Sequence, residues 1–350
     1  MNTKLSTEPV STRPKPHAPA RAAPNRLADR ATRLFILALV LLHALIAGGC
    51  LFDGDGDGDG DGPDGGDPGS ITLRGPCQLD QRLGAFTVAA HDSFSAIDGK
   101  VANGVVPITI LETLHTAGQC RLLRRNNPFC DPACESGTTC DFSGRCIPFP
   151  QRQNVGVVTI TGLKEPVEMR PLEPGNDYVE TKLAHPAFDD GALIRLTSTA
   201  GSYGKLAMHG IGGGVLAMAG DRWPLERGRD LAVAWSAPTA GARTRAFLEL
   251  TIDQHGNSPV ALHCDFDDTG SGTVSADVID RLFDAGVSGF PNGSLTRRTV
   301  DSMAVDDGCV ELVVSRPRSH QVRVAGHTPC TDNTSCPQGQ TCDLDMQTCR

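Results

Sequence analysis

The sequence predicts a mainly β protein: an antiparallel β-sandwich with a small N-terminal β unit and two small disulfide-rich knots. Three observations carry this reading. Short runs rich in β-branched residues recur about every 8–15 residues with turn residues between them, the pattern of an antiparallel sandwich. Helical periodicity is clear in one stretch alone. Eight of the thirteen cysteines fall in two compact, matching clusters.

Residues 1–33 are polar and basic, with seven Lys or Arg against Glu8 and Asp29. Residues 34–46 are then apolar except for His43. A basic region, a short apolar run and small residues make the layout of a secretory signal. The run is shorter than the ~20 apolar residues a membrane span needs. Ala47-Gly48-Gly49-Cys50 follows. This order resembles the bacterial lipobox, in which a cysteine after small residues is lipidated and becomes the mature N-terminus. Ala47 stands where that pattern usually has Leu, with Ile46 one step earlier. The resemblance implies a signal peptide over 1–49 and a membrane anchor on Cys50, with chains enough for stable attachment. The following residue, Leu51, is not the aspartate that marks inner-membrane retention in enteric bacteria. The outer membrane is therefore expected over the inner one.

Residues 50–69 continue into DGDGDGDGDGPDGGDPG. The run has nothing apolar to bury, and its like charges extend it, so it reads as a solvated tether. Asp53, Asp55, Asp57, Asp59, Asp61 and Asp64 also match calcium-loop positions. Any Asp-Gly repeat fits by register and no helix flanks the run, so specific calcium binding is not expected. The net charge is −9, and the basic leader accounts for +5, so the rest of the chain is near −14. That excludes the basic face a nucleic-acid partner requires. Aromatics make up only 5% of residues, too few for a sugar-stacking platform.

With Cys50 set apart, twelve cysteines remain: Cys77, Cys120, Cys130, Cys134, Cys140, Cys146, Cys264, Cys309, Cys330, Cys336, Cys342 and Cys349. Twelve permits six disulfides with no free thiol, and such a count belongs to an oxidising compartment. Residues 70–129 read as the small β unit, with ITLR, AFTVAA and KVANGVV as strands and Cys77 and Cys120 as a bridge. TILETLHTA (109–117) fits a short helix or a strand.

Residues 130–150 hold Cys130, Cys134, Cys140 and Cys146; residues 330–350 hold Cys330, Cys336, Cys342 and Cys349. Both copies have Gly three residues before the third cysteine (Gly137, Gly339) and Asp just after it (Asp141, Asp343). This is an internal repeat of a unit too small for a core, which must be stapled. First-to-third and second-to-fourth pairing is expected. Zinc is disfavoured, because Cys-x2-Cys knuckles are missing.

Residues 151–329 read as the sandwich. Expected strands are 155–160, 177–183, 192–198, 205–209, 215–219, 231–235, 245–252, 260–264, 309–315 and 320–325, with one helix over 276–286 stopped by Gly286. Cys264 and Cys309 are expected to pair. The whole pattern, an anchored cysteine, an Asp/Gly linker, four-cysteine knots and a sandwich with a GSGTV-then-helix step, resembles myxobacterial cysteine-rich surface lipoproteins. The knots alone also resemble the Dickkopf-type N-terminal cysteine pattern. The resemblance implies a place in the cell envelope more than an activity.

Catalytic signatures are weak. Asp268-Thr269-Gly270-Ser271 copies the aspartic-protease motif, but such sites need two aspartates sharing a proton and only one copy exists. Gly210-Ile211-Gly212-Gly213-Gly214 lacks the Lys-Ser/Thr of a phosphate loop and reads as a flexible turn. No Gly-x-Ser-x-Gly or His-Glu-x-x-His motif is present. His209 reads as a strand-end histidine, and Arg124-Arg125 and Arg297-Arg298 as solvated pairs. The expectation is a non-enzymatic, lipid-anchored interaction module without a cofactor, contacting the membrane through Cys50 and an unidentified protein or glycan ligand. The alternatives are a carbohydrate- or calcium-dependent adhesion module and, last, an envelope hydrolase.

Overall fold

The computed structural model describes residues 71–125, 128–239, 242–255, 260–306 and 308–350. Cys50 and the aspartates from Asp53 to Asp64 lie outside them. The fold is mainly β. Among the described residues, twenty strands and one α-helix follow in order: β1 (Arg82–Ala90), β2 (Ser95–Val101), β3 (Leu111–Ala117), β4 (Cys120–Arg125), β5 (Thr138–Cys140), β6 (Cys146–Pro148), β7 (Val158–Thr161), β8 (Val167–Met169), β9 (Tyr178–Glu180), β10 (Leu193–Ser198), β11 (Ala207–Ile211), β12 (Arg222–Leu225), β13 (Leu231–Ala234), β14 (Arg245–Thr251), β15 (Val260–Asp267), β16 (Ser271–Val274), α1 (Ala276–Ala285), β17 (Asn292–Val305), β18 (Gly308–Val324), β19 (Cys342–Asp343) and β20 (Thr348–Cys349).

Ten strands form one large sheet in the order β3-β4-β15-β14-β17-β18-β1-β2-β9, with β12 also beside β18. Most neighbours are antiparallel, but β1 and β12 both run parallel to β18. Parallel pairing demands a long connection, and β1 and β18 are separated by most of the chain. The strands of 70–129 therefore do not build a unit of their own. β1 and β2 join the sheet at β18, and β3 and β4 join it at β15. ITLR forms no strand, TILETLHTA becomes β3, and 215–219 contributes only an isolated bridge at Met218.

Alternation along each strand decides what the sheet buries. β1 turns Phe86, Val88 and Ala90 inward and β18 turns Val310, Leu312 and Val314 inward. A four-stranded sheet, β11-β10-β7-β8, covers them with Val158, Ile160, Ile194, Leu196 and Met208. Further along the large sheet, β14 and β15 present Leu248, Leu250, Leu262 and Phe266 to a second core. That core is closed by the β13–β16 pair and by Val278, Ile279 and Leu282 of α1. The helix begins where the Ala276 amide donates to Asp230 Oδ1 at 2.7 Å. It ends at Gly286, whose φ of 127° suits glycine.

β17 spans both cores. Its inward positions are Gly293, Leu295, Arg297, Thr299, Asp301, Met303 and Val305, by the unbroken register with β18. Leu295 belongs to the second core, and Met303 and Val305 pack on the first. The charged and hydroxyl residues between them form a polar seam on the same face. A strand with a half-polar inner face lacks the apolar alternation of its neighbours, which is why none is expected over 292–305.

Candidate functional site

The polar seam is built around Arg297, which is 1% exposed. Its Nε donates to Asp268 Oδ2 at 2.6 Å and Nη2 to Asp268 Oδ1 at 3.1 Å. Nη1 donates to the carbonyls of Gly214 and Val215, and Nη2 also to that of Ser236. Asp268 further accepts from Trp235 Nε1 at 2.7 Å and Thr244 Oγ1 at 2.6 Å. Burial would raise the pKa of Asp268, but these bonds, Arg297 first, outweigh it and hold the carboxyl below the ordinary carboxylate value. Arg316, opposite Arg297 in the ladder, donates to Gly213 O at 2.5 Å and Phe188 O at 2.8 Å.

Two readings change here. The Gly210–Gly214 run is no flexible turn: two buried guanidiniums grip its carbonyls. A Cβ on Gly213 would stand 2.7 Å from Arg297 Cγ, and one on Gly214 would stand 2.8 Å from Asp190 Oδ2. Glycine is there for close approach. Neither arginine of the pair is solvated: Arg297 points inward, and Arg298, its side chain 20% exposed on the opposite face, stacks 3.7 Å over the Phe247 ring and bonds Asp265. Arg124 pairs with Glu112 at the surface. Asp268 of the D-T-G-S motif is locked to a cation, so it cannot share a proton with a second acid. The motif is a structural turn.

A second buried carboxylate, Asp301, accepts from the Arg74 amide, Nε and Nη2 and from the His209 amide. Burial opposes ionisation, and the Arg74 and His209 donors overcome it, so its pKa also lies below the usual range. His209 sits inside β11, and burial lowers its pKa. Ser95 Oγ lies 3.1 Å from His185 Nδ1. Ser95 is 1% exposed and its oxygen accepts the Ala187 amide. A cleft of about 200 Å³ opens nearby among Leu163, Glu165, Glu168, Glu180 and Lys182.

The twelve cysteines form six disulfides. Both knots pair first-to-third and second-to-fourth: Cys130–Cys140, Cys134–Cys146, Cys330–Cys342 and Cys336–Cys349. The repeated glycines, Gly137 and Gly339, take φ of 84° and 88°. Asp141 accepts the amides of Ser143 and Arg145, and Asp343 that of Met346. With sulfurs bonded in pairs, no thiolate is left for zinc. The other two bridges correct the expected pairing. Cys77 bonds Cys309 and Cys120 bonds Cys264, because β1 and β18, and β4 and β15, are sheet neighbours.

The knots differ in attachment. The second is tied to the body: the Gly289 amide donates to Met346 O at 2.9 Å, and His255 Nε2 lies 3.0 Å from Gln347 Oε1. The hydrogen bonds of 128–148 among the described residues stay within the first knot and its exit at Gln151. That knot carries Phe129, Phe142 and Phe149 at 84%, 47% and 46% exposure. Nothing in composition flagged them, since aromatic count says little about placement. No known protein family matches this chain, and neither does any curated protein sequence.

Proposed function

We propose that the chain is a lipid-anchored cell-envelope protein that displays its β-rich body and first knot as an interaction module, without catalysis. The observation that carries the reading is the cysteine pairing. All twelve cysteines beyond residue 70 bond one another. Cys50, the thirteenth, has no partner left among them and stands where a lipidated residue would. Six disulfides also suit an oxidising, exported location. Three exposed phenylalanines on a module whose hydrogen bonds, among the described residues, stay within it and its exit at Gln151 suit contact with a protein or glycan ligand. Asp268 and Ser95, the residues a hydrolase reading would use, are both occupied inside the fold.

Mass spectrometry of the N-terminus of protein extracted from membranes tests the anchor. A triacylated Cys50 as first residue is expected, and Cys50→Ala should release the protein from the membrane. An intact Met1 overturns the reading.

A further inference from the structure

Residues 71–77 carry the chain from the Asp/Gly run into the folded body, and they are fixed at two points. Arg74 makes three hydrogen bonds of 3.0 Å to the Asp301 carboxylate and a longer one to Ala207 O. Cys77 is bonded to Cys309, at the start of β18, and its amide donates to Glu311 Oε1 at 2.8 Å. Every strand from β1 to β17, and α1, lies between these two cysteines. The Cys120–Cys264 bridge closes a smaller loop inside the larger one.

We infer that Cys77–Cys309 is a mechanical clasp that passes load from the linker directly to β18. Tension arriving at residue 77 crosses the disulfide and continues along β18. It bypasses the intervening chain, a separation of 232 positions. Without the clasp, the same pull would fall on β1 (Arg82–Ala90), which is held to its neighbours by ladder hydrogen bonds, packing and the Arg82–Glu311 ion pair. Those are separable one after another, whereas the S–S bond is covalent. Arg74 and Asp301 hold the strap beside β17 but are not the route of the load. The proposed anchor matters only as the natural source of tension.

Single-molecule stretching applies the load directly and so does not depend on the anchor. The full chain takes one handle inserted within residues 53–69 and another at its C-terminal end. Oxidised protein should release no length from the region inside the clasp. Cys77→Ser/Cys309→Ser should release the difference between the two loop separations of 232 and 144, which is 88 residues, or about 300 Å at ~3.4 Å each. Equal release from both proteins overturns the clasp. If the double variant does not fold, the unaltered protein held under load serves instead. A step of this size should appear only after reductant enters. The same step before reductant, or none after it, overturns the inference. Arg74→Ala should leave the released length unchanged, and a gain in length there would shift the load path to the ion pair.

Discussion

Arg297 directs all five of its N–H donors beneath the large sheet, two of them to Asp268. Both side chains are 2% exposed. A buried pair of this kind costs desolvation, and its removal by halves is harsh because one charge is left alone. Arg297→Met should destabilise the protein by about 3–5 kcal/mol, while Arg297→Met with Asp268→Leu should recover much of the loss. Chemical denaturation of the singles and the double gives the coupling; strictly additive losses would mean the two do not act as a pair.

Acid should expose the same carboxylates. Asp268 and Asp301 both have folded-state pKa values below the ordinary one. Their stabilisation is complete above the unfolded value of ~3.9 and is lost as pH falls through the folded values. Melting temperature should hold from neutral pH to about 5 and then drop. Asp268→Asn, less stable at pH 7, should show a shallower drop. A variant that keeps the full acid slope would remove Asp268 from this account.

The glycine run predicts a steric penalty distinct from backbone strain. Gly213 has no left-handed φ, yet an added Cβ meets Arg297 Cγ and Cδ at 2.7 and 2.9 Å. Gly213→Ala should cost about 1–3 kcal/mol by overpacking. Gly213→Ala within Arg297→Ala should cost far less, since the obstructing atoms are gone. A thermal-melting cycle distinguishes the two.

The two knots should separate stability from display. Phe129, Phe142 and Phe149 changed together to Ser should alter the stability of the body by no more than about 0.5 kcal/mol. The same change should abolish capture of any ligand that binds the unaltered protein. Cys336→Ser/Cys349→Ser should lower the melting temperature, because the second knot bonds Gly289 and His255. Equal effects at both knots would contradict the division of roles.

Mild reductant should open Cys134–Cys146 before Cys120–Cys264. Cys120 and Cys264 are 1% and 0% exposed, whereas Cys146 is exposed and Cys130 and Cys134 are half-buried. Timed alkylation with peptide mapping should label Cys134 and Cys146 before Cys120 and Cys264. Early labelling of Cys264 would sink this ordering.

Legibility in the sequence followed locality. β10 and β14 are plain because their inward residues, Ile194 and Leu196, Leu248 and Leu250, alternate with polar ones. β17 hides because Arg297, Thr299 and Asp301 occupy inward positions. Arg297 is in phase with Leu295, and that parity is the signal that could have found it. That the eight knot cysteines pair within their own clusters is readable, because units so small must be stapled, but four cysteines still allow three pairings in each. Cys77–Cys309 is not, since which distant strands lie side by side depends on the whole sheet rather than on either segment.

The concentric bridges also bear on how the native protein is reached. A chain threaded into an oxidising space presents Cys77 and then Cys120 long before Cys309 exists there. An oxidase joining cysteines in order of arrival would link those first two, and that product cannot become native without being undone. Under the export proposed above, productive maturation calls for a disulfide isomerase, or for an oxidant slow enough to wait until β18 has arrived.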